Sequence, residues 1–576
     1  MLKFRPRGMP VSRRAALAGL AGGGALATLP VRVRAAADAP DAVFRHGVAS
    51  GDPDPTSVVL WTRVSIADRG NDTGAVELAC EVAHDPDFAR MLSRTDLTTG
   101  PEQDHTVKLL AEGLEPGGTY YYRFRLGEAL SPVGRARTLP RGTLERLGIA
   151  LASCSNYPFG HFNAYDAIAG DAAVDFVLHT GDYIYEYGHD GWGDEVGQAI
   201  GRRHDPAHEI VTLDDYRRRH AQYKSDPGSQ AMHAAHSLLA CWDDHESANN
   251  PWTGGAQNHQ PESEGDWAAR RAASIRAYYE WMPVREPVAG RERAQFWRSY
   301  SFGDLATLFT LETRHTARAE QIDYEQWAPR LTSAAEVERF RADVLGAPGR
   351  AMLSPELEGD LAAALTASTQ AGQPWRLIGN PMPIAGTDVP DVVALGVLPD
   401  PFAADAPFEG GSLQAAQALA WKGRWNLPFY PDTWDGYPWA RERLYDLSRE
   451  AGAGDLIFLT GDSHSFWANS LRDAGDRPAG LELGTAGITS PGGFMSSGFG
   501  PDISRRLDAV FAEQVPEVVW TDNMHQGYVR LDLTHERGRA TFIAVDRLLA
   551  PDYAALIVQR FGIERVDGAL SLSANS

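Results

Sequence analysis

The sequence predicts a layered α/β protein preceded by a small all-β sandwich. Two observations predict this. Short strands rich in Val, Thr and Tyr follow one another between about Asp41 and Leu139, and near Leu147 the rhythm changes to near-continuous apolar runs separated by helical patterns. Strands that alternate under short turns read as a sandwich, whereas strands apolar on both faces belong to buried sheets covered by helices.

At 576 residues the chain exceeds what one core usually serves, so two folded units are expected after an N-terminal targeting segment. That segment, residues 1–37, holds Arg13 and Arg14 before a weakly apolar, Gly/Ala-rich stretch. Small-residue cleavage sites lie near Ala35 and Ala37. The stretch is too short and too glycine-rich to span a bilayer well. It resembles a twin-arginine export signal, which implies engagement of the twin-arginine export machinery and a periplasmic or secreted protein. No transmembrane segment is expected in the mature chain.

Residues 41–140 supply the β-sandwich, with strands in "TSVVLWTRV", "VELACEVAHD", "DHTVKLLAEGL" and "GTYYYRFRLGE". "TLPRGTLER" reads as a linker. The α/β unit, 145–560, contains "LGIALASC", "DFVLHTGD", "SLLACWDDHE", "LATLFTLETR", "WRLIGNPM", "LIFLTGDSH" and "LELGTAG" as buried strands. "DYRRRHAQYKS", "DWAARRAASIRAYYEWM", "SAAEVERFRADVLG" and "SPELEGDLAAALTAST" read as helices, the last two capped by their leading serines. The irregular stretch Gly423–Trp439, full of Pro, Gly and aromatics, is expected to border a site.

The formal net charge of -22 argues against a general affinity for nucleic acid. Local charge still permits a phosphate substrate if a multivalent cation is bound. Cys80, Cys154 and Cys241 make no disulfide framework.

Four of the apolar runs end in reactive groups: Cys154 and Asn156; Asp182 and Tyr185; Asp243, Asp244, His245, Glu246 and Asn249; Asp462 and His464. The carboxyl ends of strands form the ligand-binding edge of an open α/β sheet, so the four segments are expected to meet there. Three of the groups have a bland alternative: Asp182 as a capping aspartate, Cys154 as an inert buried thiol and "WDDHE" as a solvated acidic turn. Together they form a mixed set. Thiolate, phenolate, carboxylate and imidazole suit iron, while Asp182, Asp244 and Asp462 supply oxygen alone and suit a hard divalent ion. A phenol ordinarily ionises near pH 10, and Fe(III) would hold it deprotonated. No serine-hydrolase elbow or Walker loop occurs.

The order of these clusters resembles the calcineurin-like metallophosphatases, and the variant set resembles the alkaline phosphatase D (PhoD-like) family. "GDYIY" matches its G-D-x-x-Y element. Asp244 stands where asparagine is usual, Asp462 where histidine is usual, and Cys154 where the wider superfamily has an Asp-x-His pair. "FRHGVASGDPDPTSVVLWTRV", "LETRHTARA" and "WDGYPWARERL" extend the likeness over most of the chain. The resemblance implies mixed β-sheets flanked by helices. It implies Fe(III) held by Cys154, Asp182, Tyr185 and His464, and one or two Ca2+ ions near Asp182, Asp244 and Asp462, with Asn156, Asp243 and Asn249 as further candidates. It implies hydrolysis of phosphate mono- or diesters by a metal-activated hydroxide. His245 is expected to contact the phosphate or protonate the leaving group, oriented by Glu246, or else to be a structural histidine behind the ligands; Arg314 is expected to hold the phosphate or else to be an ordinary surface arginine. His179 is expected behind the ligands. The competing readings are a phosphodiesterase or phospholipase with little monoesterase activity, an iron oxidoreductase, and a non-catalytic surface-binding protein.

Overall fold

In a computed structural model, residues 28–29, 43–65, 74–403, 408, 411–566 and 568–574 are described. The export segment expected at 1–37 lies outside them except for Thr28–Leu29, whose backbone pairs with Ala555–Leu556.

Two sheets stacked face to face form the centre. The larger sheet has eleven strands. Its middle is a parallel run, Leu147–Ala152, Phe176–His179 and Ser237–Ala240. On one side the C-terminal strands Gln526–Leu533, Gly538–Val545 and Ala555–Val566 add antiparallel to Leu147–Ala152. On the other side Val48–Gly51 pairs parallel with Ser237–Ala240 and antiparallel with Ser57–Arg63, which Thr106–Glu112 extends. The seven-stranded second sheet runs from Ser299–Phe302 through Ala306–Thr310, Trp375–Asn380, Leu456–Thr460, Pro478–Gly484 and Phe466–Arg472 to Val518–Asp522. Both sheets mix parallel and antiparallel pairs.

Leu151, Leu178, Leu239 and Phe542 of the larger sheet pack on Leu308, Leu377, Leu459 and Leu483 of the second. Their opposite faces are covered by helices. Tyr165, Met232 and Tyr278 lie on Ala152, Val177 and Leu238, while Leu361, Leu365 and Leu444 lie on Phe309, Ile378 and Phe458. The central strands, such as Leu147–Ala152, Phe176–His179, Ser237–Ala240, Ala306–Thr310 and Leu456–Thr460, are therefore dry on both faces, which is why these runs are continuously apolar rather than alternating.

The expected helices form at Leu213–Lys224, Trp267–Trp281, Ala334–Phe340 and Pro355–Gln370. Ser333 and Ser354 cap the last two, each accepting from a backbone N–H three residues on. Thr212 and Asp215 form a reciprocal capping box on the first.

A third sheet of five strands, including Val76–Ala83, Met91–Thr99 and Thr119–Leu126, packs Leu78, Val82, Tyr122 and Phe124 against Val48, Val58, Leu60 and Val107. The early β-strands thus sandwich against the edge of the larger sheet rather than against a sheet of their own. Of the stretch Gly423–Trp439, Gly423 and Arg424 still belong to the helix Leu413–Arg424, Trp434–Gly436 form a 3-10 turn, and the helix Pro438–Glu450 begins at Pro438. All three cysteines are buried and free. Among the described residues no helix is long and apolar enough to cross a membrane.

Candidate metal centre

Parallel pairing sends Leu147–Ala152, Phe176–His179 and Ser237–Ala240 out of the larger sheet at the same edge. Leu456–Thr460 leaves the second sheet beside them. The sequence reading expected the edge of one open sheet; the crevice lies instead where the edges of two stacked sheets meet. The chain turns sharply there. Cys154, Asp182, Asp462 and His464 all have left-handed backbones, with φ of 60°, 57°, 61° and 58°. Each such residue costs on the order of 1 kcal/mol, and strain of this kind gathers at functional sites. Gly461 sits so close to Ser153 that a Cβ would lie 2.2 Å from its hydroxyl oxygen.

The turn after His179 aims Asp182 and Tyr185 at one point. The Tyr185 phenol donates to Asp182 Oδ2 at 3.0 Å and lies 3.2 Å from His464 Nε2, while the Ser490 hydroxyl donates to the phenol oxygen at 2.9 Å. Three groups of side chains bring ligand atoms within 4.8 Å of one another: Cys154, Asp182 and His464; Asp182, Asp244 and His245; and Asp182, Asp243, Asp244 and Asp462. Asp182 belongs to all three. Asp243, only a secondary candidate from sequence, joins the oxygen-only group. The Asn249 side chain is instead engaged with Gln257 and Tyr187. His179 lies behind the turn, accepting from the Gly181 N–H with its other ring nitrogen 2.6 Å from the Tyr165 hydroxyl.

The donors fit cations. Asp243 Oδ2, Asp244 Oδ1 and Asn156 Oδ1 are buried without a hydrogen-bond partner among the described residues. Burial, then the Asp244 charge, drives the Asp182 carboxyl well above the usual carboxylate range; burial, then Asp243, does the same to Asp462. Carboxylates so close together cannot all stay charged without a compensating cation. Burial also raises the Cys154 thiol and the Tyr185 phenol, with the Asp182 charge as one further cause for each. A metal ion would replace both protons, as it does for coordinated thiols generally.

The residues around the ligands correct two expectations. Glu246 does not orient His245. It accepts from the backbone N–H groups of Asp182, Tyr183 and Asp243 at 3.1, 2.6 and 2.8 Å. Its place in the turn makes it a clasp between the two ligand loops. The partner of His245 is Glu186, with Oε2 2.6 Å from Nδ1. Glu186 also accepts from Asn249 N and Asn258 Nδ2. Burial opposes the His245 imidazolium, but Asp244, Glu186 and Asp182 together hold its pKa well above the ordinary value. The ring also stacks on Tyr185, with centroids 4.2 Å apart.

Arg314 is no surface arginine. It is fully buried and donates from Nε to Asp243 Oδ1 at 2.5 Å, with Nη2 3.7 Å from Asp244 and 3.8 Å from Asp462. Nη1 and Nη2 have no hydrogen-bond partner. Tyr430 and Asp432, from the aromatic loop, lie within electrostatic reach of Asp462.

A family model described as PhoD-like phosphatase matches residues 149–542, and one described as the N-terminal domain of PhoD-like phosphatases matches residues 30–140. Alkaline phosphatase D of Bacillus subtilis (strain 168) is 32% identical over 526 residues, spanning 89% of this chain and 79% of that protein. A solved structure described as that of PhoD superposes with a TM-score of 0.72 at 30% identity, covering 93% of each chain. The chain belongs to the PhoD-like phosphatase family and is a phosphoester hydrolase.

Proposed function

We propose that the protein is an exported, metal-dependent alkaline phosphatase or phosphodiesterase whose substrate is a phosphate mono- or diester. In this reading residues 1–37 direct export through the twin-arginine pathway to the periplasm or beyond. Residues 41–140 form the N-terminal β unit and 145–560 the metallophosphatase unit. The observation that carries the catalytic reading is the position of Asp182 in every candidate ligand group.

Cys154, Asp182, Tyr185 and His464 would hold Fe(III). Asp182, Asp243, Asp244 and Asp462 would hold Ca2+. Ions there would supply Lewis acidity toward the phosphoryl oxygens and toward water. The protein's own groups do the rest. Arg314 has two unpartnered nitrogens, of which Nη2 lies 3.7 Å from Asp244 and 3.8 Å from Asp462, where a guanidinium suits a phosphoryl oxygen. Glu186 fixes Nδ1 of His245, so Nε2 is the atom left to protonate the departing alkoxide. Glu246 keeps the Asp182 and Asp243 backbones in register.

The test is metal analysis of the purified protein together with hydrolysis of a monoester and a diester chromogenic substrate. Iron and calcium in the wild type, and loss of both turnover and a metal in Asp182→Asn, are expected. Full turnover by metal-free protein would overturn the reading.

A further inference from the structure

Among the candidate ligands, the Asp182 and Asp244 side chains are 1% and 2% exposed, whereas His464 and Asp462 are 15% and 17% exposed. The centre therefore opens to solvent on the His464–Asp462 side. An indole stands at that mouth. Trp192 stacks on His464 with ring centroids 5.2 Å apart and planes 19° from parallel, and it remains partly exposed. Phe159 meets it edge-on at 4.8 Å, and Tyr187, itself partly exposed, lies 6.5 Å away.

The loop that carries this ring is tightly seated. Gly191 and Gly193 flank Trp192. A Cβ on Gly191 would lie 2.9 Å from Tyr187 Cβ, and one on Gly193, at φ +94°, 2.9 Å from the Phe159 ring. The backbone is thus wedged between two aromatics, and the indole is fixed before any ligand arrives. A large apolar ring left partly in water gains by burying more of its surface, and a rigid aromatic face stacks planar groups at small entropic cost.

We propose that Trp192 is a specificity-determining residue that stacks a planar aromatic group carried by the substrate's alcohol, so that nucleoside phosphoesters are a preferred class. The proposal rests on the hydrolase reading above. A phosphoryl group at Asp182 leaves its alcohol facing the mouth, and the first aromatic surface there is the wall of Trp192, Phe159 and Tyr187.

The test compares adenosine 5′-monophosphate with glycerol 3-phosphate, both esters of primary alcohols, and their methyl diesters, on wild type, Trp192→Ala and Trp192→Phe. Trp192→Ala is expected to raise KM for the adenosine esters roughly tenfold, the order that base stacking contributes, and to leave the glycerol esters within about twofold. Trp192→Phe should keep most of the preference. Adenosine monophosphate should quench a fraction of the wild-type tryptophan fluorescence that is missing in Trp192→Ala. Equal losses on both alcohols would overturn the proposal, because Trp192 would then only prop His464. Wild type that turns over none of the esters but shows Trp192-dependent quenching would defeat the hydrolase reading and support the stacking site. Absence of both signals would defeat both.

Discussion

Glu186 Oε2 lies 2.6 Å from Nδ1 of His245, and both side chains are buried. The contact fixes which imidazole nitrogen can face a substrate. Glu186→Gln keeps the shape but removes the charge that favours the imidazolium. The expected outcome is a fall in kcat of about ten- to a hundredfold with KM near its original value, measured by steady-state kinetics. A fall in kcat/KM that comes wholly from KM would count against the assignment.

Glu246 has a different task. Glu246→Gln replaces a carboxylate that accepts three backbone N–H groups with an amide that cannot accept all three. A loss of about 3 kcal/mol in unfolding free energy is expected, read from denaturant midpoints. Activity should fall with the stability, since Asp182 and Asp243 lose a common anchor.

Among the described residues, Arg314 carries the one cationic group hydrogen-bonded to Asp243. Arg314→Met leaves buried carboxylates without it. The cation-free protein should lose about 3 kcal/mol, and added calcium should restore more stability to the variant than to wild type. Thermal melts with and without calcium measure this. Equal calcium responses would show that the guanidinium and the cation are not complementary.

The iron assignment predicts colour. Purified protein should absorb visible light through thiolate or phenolate charge transfer, and Tyr185→Phe should shift or weaken the band. Calcium chelation should lower hydrolysis without bleaching it. A colourless protein with a full complement of iron would contradict the ligand set.

Acid should loosen the fold through buried histidines outside the ligand set. Burial lowers the His220 pKa to about 3 and the His236 pKa to about 4. Their unfolded value is about 6.5. Between those limits the unfolded chain binds protons that the folded chain does not. Their stability contribution is therefore complete above pH 6.5 and declines as pH falls toward 4. Each should cost about 1 kcal/mol per pH unit in that window. Chemical denaturation between pH 5 and 8 tests the slope, and His220→Asn should flatten it.

The strands and ligands were legible because their signals are local. Runs such as "DFVLH" are apolar on both faces, and the reactive groups follow them within a few residues. Glu186 was not legible, although it closes the same "HTGDYIYE" segment. Its partner is 59 residues away, and nothing near it in sequence distinguishes it from a surface acid. The pair Asp243–Asp244 was half legible, since adjacent carboxylates on an ordinary strand would point to opposite faces, and only the turn lets both face the cluster. Trp192 gave no periodic signal at all. Nor did periodicity reveal that Val48–Gly51 would pair with Ser237–Ala240, because register between distant segments is set by packing.

That pairing has a bearing on biogenesis. The three strands that deliver Cys154, Asp182 and Asp244 are flanked on one side by Val48–Gly51, which precedes them in the chain, and on the other by Gln526–Leu533, which follows the whole second sheet. Until Gln526–Leu533 joins it, Leu147–Ala152 has an open edge. In the proposed reading the centre is complete only after these distant segments have met, so folding would precede both metal capture and export.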